Sequence, residues 1–470
     1  MRLDPRAKLA SRAQVEEGSP ARLVGPGGHS LLVDGWALEL FKRAQGRRVE
    51  ELLEEPDPDL AYAALSVLVH AGALAADPAP AEPPPRPAPK LPADPPLVSL
   101  VIVAYNSGDA LPALLGSVAA QTYPLLETIV VDNASSDGSI DAAEARWSAV
   151  RFLRLPFNRG FADAVNRGVQ VAAGEWVAVL NADLELEPDA VAAWVEKALS
   201  APDAGAVASK MMLASHPRFI NSIGNSIVRM AWGSDNFMGL LDWGQFDGVP
   251  DVWGACFGAV LLSRQVLREV GPLDPEYFLY YEDLDWCYRA RLAGYRIVTA
   301  PGCVVRHQFG GSVSQRHETW KLGLVVRNRM RYVLVNMRWR QALGLLARYV
   351  YMDLRQVAKA LVTRNPHALR MYAKSYLCLL AWTPDIVRRR RRGRRRISPH
   401  EEARAFQLNI EPTTDSHLGR EALLSRPGVE RWYREVFPPP SLRPAAGARS
   451  AATGPRSGPG HRGGGTARPS

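Results

Sequence analysis

Asn181, Asp183, Glu185 and Glu187 fall within seven positions, directly after the apolar run 177–180, in VAVLNADLELEP. A strand end facing water needs no such density of oxygen donors. A bound divalent cation does, and so does a reaction that moves negative charge. Other nucleotide and acyl chemistries lack their motifs. No GxGxxG follows a strand, the one literal match (GPGHRG) lying in the tail, and neither GxxxxGK[ST] nor GxSxG occurs. The four cysteines, Cys256, Cys287, Cys303 and Cys378, form no CxxC pair, so neither a disulfide framework nor a zinc site is expected.

The elements that must position these carboxylates read as an α/β pattern. VSLVIVAYN, LETIVVDNAS and WVAVLNADLEL are near-continuous apolar and β-branched runs, as in strands buried on both faces. GDALPALLGSVAAQ and FADAVNRGVQVAAG between them have helical patterning. Alternating strands and helices imply right-handed βαβ crossovers and a mostly parallel sheet with flanking helices. Ligands of such sheets sit beyond the carboxyl ends of the strands. Asn106, Asp132 and Asp183 should therefore line one crevice.

At 470 residues the chain has room for more than one domain. Residues 1–21 are expected to be a flexible lead-in without an apolar core of signal-peptide length. Residues 22–76 read as a small α+β domain, a strand and turn followed by two helical patterns. Ten prolines between positions 77 and 96 mark an extended spacer. Net charge is +9 and unevenly spread. Residues 321–396 hold 20 Lys and Arg against two acids, leaving the rest at −9. Within that segment, Leu346, Val350, Leu354, Val357 and Leu361 share one helical stripe, with Arg348, Arg355 and Lys359 opposite. With the arginine run 388–396, this basic helical extension reads as a surface for anionic lipid, at roughly 1 kcal/mol per basic residue. A nucleic-acid partner is not expected, because no aromatic-rich RNA motif accompanies the run. Residues 397–436 form a further C-terminal segment, and 437–470 a low-complexity tail expected to be disordered. No uncharged run is long enough to cross a bilayer, so a cytoplasmic protein, peripheral on the inner face of the membrane, is expected. Oligomeric state is left open.

Taken together, VSLVIVAYN, TIVVDNASSDGS, NRGFADAVNRG, VLNADLELEP, WGACFGAVLLSR, GPLDPEYFLYYEDLDWCYRARLAGYRI and VVRHQFGGS resemble the inverting family 2 glycosyltransferases of the GT-A fold. The likeness is strongest to their rhamnosyltransferase-like branch and covers about half the chain, with a catalytic domain at 97–320. The small domain at 22–76 is faintly similar to winged-helix peptide-recognition domains. The resemblance implies transfer of a sugar, with inversion, from dTDP-rhamnose or a UDP-sugar to a hydroxyl of a glycan or lipid-linked acceptor, in cell-surface polysaccharide synthesis. It implies that Asp132 reads the pyrimidine beside Ala104, Tyr105 and Asn106, though DNASSDGS would also suit an Asx turn. Asn158 and Asn166 would contact sugar or phosphate, with helix capping the alternative for Asn158. The resemblance places Mn²⁺ or Mg²⁺ on Asp183, with Asn181 where Asp-x-Asp has its first acid, and His307 completing the site. Asp283 would be the base, Glu282 orienting substrate or sharing that role, although acids also suit a helix start. Trp253, Gly254 and Ala255 would border the sugar or acceptor, with a core position the alternative for Trp253. The competing readings are a non-catalytic nucleotide-sugar scaffold recruiting a partner through the N-terminal domain, and a glycoside hydrolase.

Overall fold

The computed structural model describes residues 6–17, 21–24, 30–53, 58–70, 73–77, 87–214, 216–228, 231–239, 242, 244, 246–308, 318–392, 396–406, 408 and 422–424. The expected tail at 437–470 lies outside these.

The N-terminal unit is built from β1 (Lys8–Ser11), β2 (Gln14–Glu16), β3 (Ala21–Val24), β4 (Ser30–Val33), α1 (Gly35–Ala44), α2 (Val49–Leu52), α3 (Pro58–His70) and β5 (Leu74–Asp77). The lead-in expected at 1–21 is in fact partly structured, because β1 pairs with β5 and β2 with β3. Asp34 starts α1 by accepting a hydrogen bond from the Ala37 N–H at 2.8 Å. The unit does not stand apart. Leu9, Phe41 and Leu68 belong to one core with Met212, Phe219, Ile220 and Ile223 of the following domain. The spacer is likewise tied down at its end. The Lys90 N–H donates to Glu196 at 3.1 Å, and Leu91 packs against the core of the domain that follows.

That domain runs β6 (Val98–Ala104), α4 (Ala110–Ala119), β7 (Leu126–Asp132), α5 (Ser139–Arg146), β8 (Arg151–Arg154), α6 (Phe161–Val171), β9 (Trp176–Asn181), β10 (Leu184–Leu186), α7 (Ala190–Ser200) and β11 (Ala204–Leu213). It continues through β12 (His216–Ser222), β13 (Asn225–Val228), β14 (Trp232–Asp235), β15 (Ala259–Ser263), α8 (Arg264–Val270), α9 (Glu282–Leu292) and β16 (Arg296–His307). The main sheet has the order β10-β16-β11-β15-β9-β6-β7-β8. Its β9-β6-β7-β8 half is parallel, as the alternation of strands and helices requires. The other half is mixed, which corrects the expectation of a mostly parallel sheet. β15 runs antiparallel to both β9 and β11, because the chain reaches it through a hairpin excursion and not through a crossover helix. β6 is buried on both faces, its pattern VSLVIVA leaving only Val103 partly exposed. α6 can lie flush on the sheet because position 168 is glycine. A Cβ there would overlap the Val101 side chain.

α10 (Glu318–Asn336), α11 (Trp339–Val362), α12 (Pro366–Arg392) and α13 (Pro399–Phe406) follow, and β17 (Ala422–Leu424) returns to pair in parallel with β4. The basic extension is not a loose appendage. Met330, Tyr332, Val333, Tyr349 and Tyr372 share a core with Trp253, Tyr277, Tyr281 and Tyr288 beside α9. Several of its arginines are structural. Arg331 and Asp274, both fully buried, pair at 2.6 Å, Arg329 meets Asp353 at 2.6 Å, and Arg389 reaches Asp274 at 3.0 Å. Arg390 donates to the Leu334 and Met337 carbonyls. On α11 the line that packs inward is Ala342, Tyr349, Asp353 and Ala360. Leu343, Val350, Leu354 and Leu361 are left exposed.

Candidate active site

The carboxyl ends of β6 and β7 are laced together. Asn106, in the left-handed region at φ 48°, accepts from the Ser136 N–H at 2.8 Å, and its own N–H donates to Ser135 Oγ at 3.1 Å. Asp137 accepts from the Gly108 N–H at 2.9 Å. Asp132 is buried, and its Oδ1 accepts from the Ser135 N–H at 2.8 Å, the Asx turn allowed for in the sequence. Ala104 lies fully buried beneath this loop and Tyr105 is exposed above it. Asn158 caps its own turn by accepting from the Gly160 N–H at 2.9 Å. Asn133, passed over in the sequence, fastens that turn from below, donating to Gly160 O at 3.2 Å and accepting from the Arg159 N–H at 2.8 Å. Asn166 does not join this group. Its amide donates to Leu273 O at 2.8 Å and its carbonyl accepts from the Leu273 N–H at 3.0 Å, so both polar ends pin α6 to the turn before α9.

At the end of β9, Asn181 is half-buried, its N–H bonded to Gly258 O at 2.9 Å. Two residues later the chain enters β10, which pairs with β16 so that Leu184 stands opposite His307. The Asp183 carbonyl accepts from the Gln308 N–H at 2.9 Å, and Asp183 Oδ1 lies 3.4 Å from His307 Nε2. On the other side of the ring, His307 Nδ1 is 2.6 Å from Asn221 Oδ1. The Asn221 amide thus fixes the ring so that Nε2 faces Asp183. A carboxylate oxygen and an imidazole nitrogen at this separation suit two ligands of one cation with bonds of about 2.1 Å. Among the described residues no cluster of three or more His, Cys, Asp or Glu could hold a metal.

α9 begins on an unusual turn. Phe278, Tyr280 and Tyr281 all have positive φ, 65°, 71° and 76°, a conformation that disfavours side chains of this bulk. The turn is held from behind by Asn328 of α10, fully buried, whose single Nδ2 lies within 2.9 Å of the Tyr277, Leu279 and Tyr280 carbonyls. From the front, Phe278 O accepts from the Phe161 N–H at 2.6 Å. Gly160, at φ 81°, lies so close that a Cβ would run into Phe278. One strained turn thus joins the start of α6 to the start of α9.

Asp283 sits half-buried at that start and accepts from Asn225 Nδ2 at 2.9 Å. Burial raises its pKa from the usual carboxylate range to about 7, and the negative charge of Asp235 adds to this. Glu282 is buried, and its Oε2 has no hydrogen-bond partner among the described residues. Burial, and then the neighbouring Asp283, push its pKa well above normal. Burial also raises Asp235, while Ser222 and His307 act against that shift. Asn221, Asn225 and Asp235, all missed by sequence reasoning, come from the β12–β14 segment. Asn225 pairs with Asp235 across the β13–β14 hairpin. This segment runs between the Asp183–His307 pair and Asp283 and touches both.

WGAC behaves differently from its reading. Trp253 is fully buried, stacked on Phe406 at 4.5 Å and tilted against Tyr288 at 5.4 Å. It is core, and does not border a sugar. Gly254 forms a two-way backbone pair with Asn225, at 2.8 and 2.9 Å, and a Cβ there would collide with the Asn225 side chain. Ala255 O accepts from Asn225 Nδ2 at 3.2 Å. Gly254 and Ala255 therefore hold the residue that holds Asp283.

Residues 99–271 match the family model described as Glycosyl transferase family 2. The chain carries a family 2 glycosyl transferase domain. It is 28% identical over 232 residues to the N-acetylglucosaminyl-diphospho-decaprenol L-rhamnosyltransferase of Mycobacterium tuberculosis, covering 45% of this chain and 76% of that protein. It is 27% identical over 228 residues to the poly-beta-1,6-N-acetyl-D-glucosamine synthase of Staphylococcus epidermidis, covering 47% of this chain and 52% of that one. Among solved structures it is similar to GalNAc-T7 with UDP, GalNAc and Mn²⁺, at 17% identity and TM-score 0.42, over 52% of this chain and 48% of that one. The sequence relatives support glycosyl transfer in polysaccharide or glycoconjugate synthesis. No described helix of this chain is long and apolar enough to cross a membrane.

Proposed function

We propose that this protein transfers a sugar, with inversion, from a nucleoside diphosphate to the hydroxyl of a glycan or lipid-linked acceptor. The observation that carries this reading is the β12–β14 segment, which touches the Asp183–His307 pair at one end and a carboxylate of raised pKa at the other.

In this reading Asp132 keeps Oδ1 in its own turn and offers Oδ2 to the ring N–H of a uracil or thymine. dTDP-rhamnose or a UDP-sugar is accordingly the donor, with Asn158 and Asn181 beside its sugar and phosphates. Asp183 and His307 would hold Mn²⁺ or Mg²⁺, which when bound neutralises charge on the diphosphate. Asp283, ionised, takes the proton of the acceptor hydroxyl. The acceptor oxygen bonds to the anomeric carbon as the bond to the diphosphate breaks on the opposite face. A base with a pKa of about 7 is well matched to working near neutral pH. Glu282, kept neutral by burial, is available to donate a hydrogen bond to the acceptor or sugar.

The acceptor is placed at a membrane in this proposal. Leu343, Val350, Leu354 and Leu361 form an exposed apolar line along α11, with Arg340, Arg348, Arg355 and Lys359 exposed on the same helix. An apolar row flanked by cations suits an anionic lipid surface on the cytoplasmic face. Incubating the protein with Mn²⁺ and a panel of UDP- and dTDP-sugars tests the catalytic reading. It predicts release of nucleoside diphosphate that depends on both metal and acceptor. Tight nucleotide binding without release from any donor would favour a binding scaffold.

A further inference from the structure

A cavity of about 620 Å³ lies between α10 and α12, and the reaction outlined above uses none of it except one wall. That wall is Phe278, from the strained turn that leads into Glu282 and Asp283. The remaining lining falls into two kinds. Trp320, Leu324 and Met371 are apolar, and Phe278 meets Trp320 edge-on at 6.1 Å. Arg327, His367, Arg370 and Lys374 are basic, and no Asp or Glu among the described residues lines the cavity.

Arg370 and Lys374 are exposed, one helical turn apart on α12, and neither has a carboxylate within ion-pair distance among the described residues. Elsewhere on these helices arginines are used structurally, as Arg329 with Asp353 and Arg331 with Asp274 show. Arg327 is anchored from below, donating to the Tyr277 carbonyl at 3.1 Å and lying over Trp382 at 5.2 Å. Burial pulls its pKa below the ordinary arginine value, with Cys378 and Glu276 acting against that shift. Three cations around an aromatic and aliphatic pocket, two of them without a carboxylate partner among the described residues, match a ligand with an oxyanion at one end and an apolar body at the other.

We infer that this cavity binds an anionic amphiphile, its phosphate or carboxylate between Arg327, Arg370 and Lys374 and its apolar body against Trp320, Leu324 and Met371. Resting on the proposed transfer reaction, we assign it to the anchoring end of the acceptor. An occupant touching Phe278 would be four residues along the chain from Glu282.

Farnesyl phosphate, palmitate, farnesol and inorganic phosphate are the probes, followed by calorimetry and by Trp320 fluorescence. The full-length protein should bind at least one of the two anionic amphiphiles ten-fold or more tighter than farnesol and inorganic phosphate. The preferred headgroup tells phosphate from carboxylate. The double variant Arg370→Ala/Lys374→Ala, altered only at exposed positions, should lose ten-fold or more of that affinity while retaining wild-type UDP binding. Equal affinity for farnesol and the anionic probes, or binding of inorganic phosphate alone, would overturn the inference. So would an unchanged affinity in the double variant. If donor turnover is seen but no amphiphile binds, the cavity assignment fails alone. If amphiphiles bind and no donor turns over, the transferase reading fails and the cavity stands as a ligand site.

Discussion

Asp283 and Glu282 are adjacent carboxyls with different fates. Asp283 is half-buried and has the Asn225 amide to stabilise its charge, whereas Glu282 Oε2 has no such partner among the described residues. A carboxyl that stays neutral is mimicked by its amide. Glu282→Gln should therefore fold and keep turnover within about ten-fold, whereas removing a general base costs roughly 10²–10⁴-fold. Steady-state kinetics on Glu282→Gln decide this, and a loss of 10³ would mean that Glu282 shares the proton transfer. At the other end of the site, Asp183→Ala and His307→Ala should each weaken Mn²⁺-dependent UDP binding by about ten-fold or more. UDP binding in the presence of a chelator should change little. Titration calorimetry with and without the metal checks it. A His307→Ala protein with wild-type metal response would remove His307 from the cation site.

The elements explain why the sequence yielded some of these residues and concealed others. Asp132 ends one long apolar strand and Asp183 follows another by two residues, and both strands belong to the parallel half-sheet, so the sheet edge that carries them was legible. Asn221, Asn225 and Asp235 sit in β12–β14, short strands with no apolar periodicity and no motif. Nothing in their spacing shows that they bridge the two ends of the site. Trp253 and Asn166 misled for the opposite reason. An aromatic or an amide in a motif looks functional until its neighbours are known, and here these are Phe406 and the Leu273 backbone. α10 carries the clearest prediction at this scale. One Asn328 amide bonds three carbonyls of a turn with three positive-φ aromatic residues. Asn328→Ala should cost about 1–3 kcal/mol in unfolding experiments. It should also lower kcat more than it raises the KM for donor, because in the proposed reaction the turn aims Glu282 and Asp283. A change in stability alone, with kcat intact, would limit Asn328 to folding.

Across the whole molecule, the N-terminal unit, the catalytic domain and the helices after it share cores and are not joined only by flexible chain. The proline spacer and the basic run both suggested looser modules. Composition reports what a segment can do alone, and it cannot show that Leu91 packs on the catalytic domain or that Arg331 is buried against Asp274. Truncation before α11 would therefore remove part of the catalytic support, and point changes on the exposed line are the better test of membrane attachment. Leu354→Glu with Leu361→Glu should reduce binding to anionic vesicles by about ten-fold or more and leave nucleotide affinity unchanged. Wild-type binding should weaken with added salt. Vesicle co-sedimentation reads both, and unaltered binding by the double variant would place the lipid surface elsewhere or nowhere.

The pH profile of turnover, measured on wild type and Asp283→Asn together, tests the account most directly. Because the pKa of Asp283 is raised to about 7, the ionised base is lost as pH falls through that value. Wild-type kcat/KM should therefore rise to a plateau above about pH 7. The same shift means that the folded protein binds a proton the unfolded chain has released between about pH 4 and 7, so wild-type stability should fall across that interval. Asp283→Asn should show a smaller fall, because Glu282 and Asp235 are raised in the same direction, bind UDP and Mn²⁺ as wild type does, and lose turnover by about 10²-fold or more on the plateau. An Asp283→Asn protein that keeps wild-type turnover, or a wild-type profile flat from pH 5 to 9, would contradict the assignment of Asp283 as the base.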